Sequence, residues 1–194
     1  MTGKQHLLLR VASVILFTRI LQIWHKIQKV DVDRMNREEL FQKIWDAQDE
    51  AYALMSEYDS LPHHYGSDVL YQAEAYIVNW IGQMPGITIT ELAENLKKTP
   101  SACSQLVKKL INKGLVLQER NADNKRLYNL HLTADGQRVY QDHVTFNLNC
   151  QQITYAMLGE FSNEELGTYL KVQMRINQAF FGDVQRSKEH FLHL

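Results

Sequence analysis

Residues 88–136 read TITELAENLKKTPSACSQLVKKLINKGLVLQERNADNKRLYNLHLTADG, and the order of signals inside this stretch decides the fold. Thr88-Ile89-Thr90-Glu91 has the spacing of a capping box, in which a threonine oxygen and a glutamate side chain satisfy amides left open at a helix start. It predicts a short helix over Glu91–Leu96. Lys97-Lys98 forms a turn, and Thr99-Pro100 follows as a cap residue with proline at the first helical position, where its missing amide costs nothing. The next helix runs from Pro100 to Lys113, buries Cys103, Leu106, Val107 and Leu110, and stops at Gly114. Leu115–Gln118 and Leu127–Leu132 are short β-prone runs separated by the polar Asn121–Arg126, which is the pattern of a hairpin.

Helices flank this stretch on both sides. Upstream, Leu40, Phe41, Ile44, Trp45, Ala47, Ala51, Leu54, Met55 and Tyr58 recur at intervals of three and four and predict an amphipathic helix from Asn36 to about Leu61. Leu61-Pro62-His63-His64-Tyr65-Gly66 breaks it as a loop. A second helix is expected from about Ser67 to Met84, with Val69, Leu70, Ala73, Tyr76, Ile77, Trp80 and Ile81 on its buried face and Pro85-Gly86 at its end. Downstream, Thr133-Ala134-Asp135 opens a long helix through Met157 that closes at Phe161. Ser162-Asn163-Glu164-Glu165 is another capping box and starts a last helix. The order is helix, helix, helix-turn-helix, hairpin, helix, helix. The fold class is mainly α with a small β-hairpin wing, a winged helix-turn-helix lobe (67–136) joined to a helical dimerisation lobe (35–66 and 137–194).

Composition is that of an ordinary globular chain: 194 residues, 45% apolar and 22% charged, with three prolines and nine glycines. Cys103 and Cys150 form neither a disulfide framework nor a CxxC knuckle, so a reducing cytoplasm is expected. The net charge of −1 conceals strong segregation: +4 over 1–34, −9 over 35–96, +6 over 97–138 and −2 over 139–194. Neutralising phosphates needs local cations rather than a high overall pI, so a basic block between acidic flanks suits a lobe that faces nucleic acid.

Residues 1–34 form an N-terminal extension of apolar and basic character. Leu7 to Phe17 is strongly apolar, yet Arg10, Arg19, His25 and Lys26 interrupt the region, and a bilayer span needs about 20 apolar residues in a row. No small-residue cleavage site of a secretory signal follows Phe17, so neither a membrane partner nor export is expected. Thr18, Gln22, His25 and Lys29 fall at helical spacing, a narrow polar stripe fit for a membrane surface or a partner helix. The expectation is an accessory packing helix, or an extension upstream of a start at Met35.

A helix-turn-helix followed at once by a hairpin has a definite use. Its second helix buries one face and offers the other to a major groove of double-stranded DNA. Ser101, Ala102, Ser104 and Gln105 on the first half of that helix can read base edges: glutamine pairs with adenine N6 and N7, while Ala102 and Thr99 touch thymine methyls. Lys97, Lys98, Lys108 and Lys109 are placed to contact phosphates, which gives affinity without sequence. Lys125 and Arg126 at the hairpin tip suit a narrow, electronegative minor groove, with Asp123 able to hold the arginine by an ion pair. One winged lobe covers only a half-site, so a homodimer on a two-fold symmetric site is expected.

Ile89-Thr90-Glu91-Leu92-Ala93, Leu106-Val107-Lys108-Lys109-Leu110, Gly114-Leu115-Val116, Asp123-Asn124-Lys125-Arg126 and Leu130-His131-Leu132-Thr133-Ala134-Asp135-Gly136 together resemble the MarR family of bacterial regulators. The resemblance covers about Ser67–Gly136. It implies a dimeric repressor, or less often an activator, acting on a pseudo-palindromic operator and released by a small molecule, a metal or an oxidant. The family's wing usually reads Asp-x-Arg, whereas Asp123 and Arg126 are separated by two residues. Arg126 keeps the family's usual distance before Leu132-Thr133 and takes the wing role. The resemblance also implies an effector pocket between the dimerisation helices and the DNA-binding lobe, for which His63, His64, Tyr65, Tyr71, Trp80 and His143 are the candidates.

Other chemistries are weaker. His63, His64, Glu74 and His143 are the plausible titratable cluster, but sequence order alone does not bring them together, so no enzyme and no cofactor is expected. Imidazoles and carboxylates there make a zinc-responsive regulator of the same fold one alternative. A winged-helix protein–protein module is the other. Cys103 lies on the apolar face of its helix and reads as core, while Cys150 can serve as a dimer-interface thiol. Tyr58, Tyr65, Tyr71, Tyr76 and Trp80 can line a pocket for a planar ligand, though most of this set reads as core.

Overall fold

The protein is described here by a computed structural model covering residues 32–122 and 124–191. The polar stripe from Thr18 to Lys29, the accessory-helix reading and the proposed role of Asp123 lie outside the described residues. The chain divides into two compact units, Met1–Tyr58 and Asp59–Leu194.

In the first unit a 3-10 turn over Val32–Arg34 precedes helix α1, Arg37–Ser60, which runs on past the unit's end. Asn36 caps it: its Oδ1 accepts the Glu38 and Glu39 amides at 2.9 and 3.0 Å, and Glu39 Oε2 accepts the Asn36 amide at 2.9 Å. The predicted apolar spacing is present, but no residue of α1 is buried. Phe41 and Trp45 lean on each other with ring centroids 6.1 Å apart, and Leu54 and Met55 are exposed.

The second unit opens with a correction to the sequence reading. Pro62–Tyr65 and Asp68–Tyr71 are strands β1 and β2 of an antiparallel hairpin, where a loop and the start of a helix are expected. Gly66, at φ +61°, takes the left-handed position at the head of a two-residue turn, which glycine enters without a steric penalty. Val69-Leu70-Tyr71 then suits a pleated surface, with Leu70 buried and its neighbours exposed. Helix α2 therefore begins only at Gln72 and ends at Gln83. Its buried face differs too: Gln72, Glu74, Ala75, Ile77, Val78 and Ile81 are buried, while Tyr76 is exposed and Trp80 half-buried.

The remaining elements follow the expected order. Helix α3 is Ile89–Leu96, α4 is Pro100–Asn112, strands β3 and β4 are Val116–Arg120 and Tyr128–Leu132, α5 is Ala134–Met157, and α6 is Asn163–Phe191 after a 3-10 turn at Leu158–Glu160. Residues of α2, α3, α4 and the wing close over a core led by Leu70, Ile77, Ile81, Leu92, Leu110, Leu115 and Leu130. Gly136, in the first turn of α5, allows a close approach: a Cβ there would stand 2.0 Å from the Leu115 carbonyl oxygen. Thr133, the cap of α5, accepts the Gly136 amide at 3.0 Å and donates to the Gly114 carbonyl at 2.7 Å, tying the end of α4 to the start of α5. By contrast, none of the described side chains of α6 is buried.

Candidate nucleic-acid interface

The turn between α3 and α4 is built by its caps. Thr88 Oγ1 accepts the Glu91 amide at 3.3 Å, and Glu91 Oε2 accepts the Thr88 amide and hydroxyl, each at 2.8 Å. These bonds, the backbone one foremost, hold the Glu91 carboxyl below its ordinary range. At the other end Lys97 adopts φ +51°, the only positive value at a non-glycine residue among the described ones, and its amide reaches back to Ala93 and Glu94. A side chain in this conformation costs about 1 kcal/mol over glycine, and such strain collects at functional turns. Lys97 and Lys98 are left exposed at the corner.

Thr99 then caps α4, its Oγ1 accepting the Ala102 amide at 3.2 Å. The hydroxyl is thus engaged in the cap, leaving the methyl for apolar contact. Cys103, Val107 and Leu110 fix the buried face of α4; Ser101, Ser104, Gln105, Lys108 and Lys109 lie exposed, with Ala102 half-buried. Every position read as a groove contact on this helix except Ala102 is on the solvent side, and the expected core positions are inside, Leu106 only in part. Burial pushes the Cys103 thiol up, and the nearby Lys98 charge only partly opposes it, so a neutral core thiol results. Cys150 lies exposed on α5.

In the wing, Val116 pairs with Leu132 and Arg120 with Tyr128. A third short segment joins along β4: the Gly86 amide donates to Leu130 and the Leu130 amide to Ile87, at 2.9 and 3.0 Å, and Thr88 bridges Asn129. The α3 cap and the wing are thereby one construction. Asparagines shape the tip. Asn121 Nδ2 donates to Asn129 Oδ1 at 3.0 Å, Asn121 Oδ1 accepts the Asn124 amide at 2.8 Å, and Asn124 Oδ1 accepts the Arg126 amide at 3.1 Å. Lys125 and Arg126 are exposed beyond it. Asn124 stands at the Asp-x-Arg spacing before Arg126, a role the sequence reading did not give it; its place two residues ahead of the arginine is the signal that would have found it.

The candidate effector residues separate into two groups. His143 is buried on α5 beside Tyr65 of β1, with ring centroids 5.6 Å apart, and His63 of β1 faces Phe146 at 6.5 Å. Asn147 Nδ2 lies 3.3 Å from His143 Nε2. Burial, with a smaller push from His63, lowers the ionisation of His143 below its ordinary value. His64 and Tyr71 are exposed instead, and Trp80 packs half-buried against the core. Glu74 leaves the histidines altogether: it is buried in an ion pair with Lys113, whose Nζ lies 2.9 Å from its Oε2. Sequence separation hid this pair. Among the described residues no group of three or more His, Cys, Asp and Glu is arranged to hold a metal ion, and no helix is long and apolar enough to cross a membrane.

Residues 67–127 match the MarR family, a family of transcription regulators rather than enzymes. No curated protein matches the chain. Solved structures do. A zinc-responsive MarR family member, ZitR of Lactococcus lactis, is 19% identical with a TM-score of 0.64, over 73% of this chain and 99% of that one. FabT of Streptococcus pneumoniae, solved in complex with DNA, is 22% identical with a TM-score of 0.60, over 74% of this chain and 99% of that one. The adhesin competence repressor AdcR of Streptococcus pyogenes is 18% identical with a TM-score of 0.56, over 72% and 97% of the two chains. At these identities the likeness is one of fold.

Proposed function

Because residues 67–127 match the MarR family, we propose that the chain is a sequence-specific DNA-binding regulator of transcription, working in the cytoplasm as a homodimeric, ligand-responsive repressor on a pseudo-palindromic operator. One observation carries the reading: Ser101, Ser104, Gln105, Lys108 and Lys109 share the solvent face of a helix whose other face is locked in the core, next to a wing that ends in Lys125 and Arg126. Short polar groups near the helix start serve base edges, and lysines at both ends serve the phosphates. Lys97 and Lys98 at the strained turn add to the phosphate set, with Thr99 and Ala102 offering methyl groups to thymine.

Homodimerisation is supported by the uncovered apolar side chains of α5 and α6, among them Tyr155, Leu170, Met174 and Phe181. In this reading residues 35–66 and 137–194 form the dimerisation lobe and 67–136 the DNA-binding lobe. The cluster of Tyr65, His63 and His143 is the part of the expected effector site that supports a ligand response.

Selection of an operator from random duplexes, followed by anisotropy titration against salt, tests the reading. Expected are enrichment of an inverted repeat and a log–log salt slope of about −0.9 for each phosphate neutralised. Salt-independent binding, or none, overturns it.

A further inference from the structure

We propose that Glu74 and Lys113 are positioning residues for DNA reading, a buried clamp that fixes the far end of α4 against α2 and β2 and so sets the angle at which the helix meets the groove. The proposal rests on the DNA-binding reading above. Lys113 belongs by sequence to the basic block that suggests phosphate contacts, but its ammonium is spent elsewhere. Nζ donates to Glu74 Oε1 at 3.0 Å, Glu74 Oε2 at 2.9 Å and the Val69 carbonyl at 3.1 Å. An ammonium has three protons to give, and three acceptors are already in place.

The carboxylate on the other side is committed as well. The Glu74 side chain is only 5% exposed, against 37% for Lys113, and its Oε2 also accepts the Tyr71 amide at 3.0 Å. A carboxylate taken out of water needs such partners, so the pair is hard to part without cost. Lys113 caps the C-terminus of α4, eight residues beyond Gln105, or about 12 Å along the axis at 1.5 Å per residue. A small rotation at the clamp is therefore a displacement at the reading end. Thr133, bonded to Gly114, is the second tether at this end.

The clamp also reaches the β1–β2 hairpin. Val69, which supplies the carbonyl, pairs with His64 of β1, the strand that presents Tyr65 and His63 to α5. A shift of the hairpin pulls on the same ammonium that orients α4.

The test uses the full chain, the selected operator and a scrambled duplex of equal length, titrated by anisotropy over a salt series. Lys113→Met and Glu74→Gln are each expected to lose about tenfold on the operator, the worth of one good base contact. On the scrambled duplex they lose far less, and the salt slope stays that of wild type. A slope that falls by about 0.9 in Lys113→Met makes the lysine a phosphate contact and overturns the proposal. So does an unchanged ratio of operator to scrambled affinity. A double variant, Glu74→Leu with Lys113→Met, leaves no buried charge unpaired and keeps the test open should either single variant unfold. It is expected to melt cooperatively yet show the same loss of discrimination, and wild-type discrimination in it overturns the proposal. A wild type that binds neither duplex overturns the DNA-binding reading and the clamp with it, a result distinct from wild-type binding with discrimination kept in the variants.

Discussion

His143 is an imidazole packed against the Tyr65 ring, and both its burial and the neighbouring His63 favour the neutral form. Its ionisation in the folded chain lies below that of an unfolded histidine, near 6.5. Above about pH 6.5 both states are neutral and the histidine adds no pH dependence. As pH falls through that value the unfolded chain takes up the proton first, so stability declines until the folded value is passed. The melting temperature should therefore drop as pH falls below about 6.5, and His143→Gln should flatten the drop. An equal drop in the variant places the titration elsewhere. On the DNA side, Arg126→Ala should reduce the salt slope by about 0.9 with a similar loss on all sequences. Gln105→Ala should instead cost about 1–3 kcal/mol on the operator and relax one base position, read by repeating operator selection with the variant. Equal losses on operator and random DNA would remove Gln105 from the readers.

The helix starts are where local chemistry fixes structure most directly. Thr88→Ala removes one half of the capping box on α3 and should cost about 1 kcal/mol, a fall of about 2–4 °C in melting temperature for a chain of this size. Because the same residue bridges to Asn129, the wing should also loosen, detectable as faster amide exchange at Leu130. Gly136→Ala should be worse, about 1–3 kcal/mol or more, since the new methyl meets the Leu115 carbonyl oxygen and not a movable side chain. Both boxes, at Thr88 and Ser162, are legible in sequence because they depend on residues three apart. The β1–β2 hairpin was not legible from Leu61 to Tyr71. Its strands are four residues each, too short for periodicity to separate them from a helix start, and Gly66 marks the turn only once its backbone is seen.

Across the molecule, α5 and α6 leave large apolar side chains exposed; Tyr155 is 83% exposed and Phe181 64%. Light scattering should report twice the chain mass of 22.6 kDa. Leu170→Asp should shift the species toward monomer and weaken operator binding by more than any single lysine change, because both half-sites are lost together. A wild type that scatters as a monomer removes the dimer from the proposal.

By itself the sequence determined the order of the helices, the helix-turn-helix and wing, and the solvent face of α4, because caps, turns and apolar periodicity act between neighbours in the chain. The basic block over 97–138 was legible for the same reason. Only the tertiary structure decided which of those cations are free to meet a phosphate. Lys113 turned inward onto Glu74, 39 residues away, and His143 met Tyr65 across two elements. A buried charge or imidazole is satisfied by whatever the fold brings beside it, and that neighbour has no fixed spacing in the sequence.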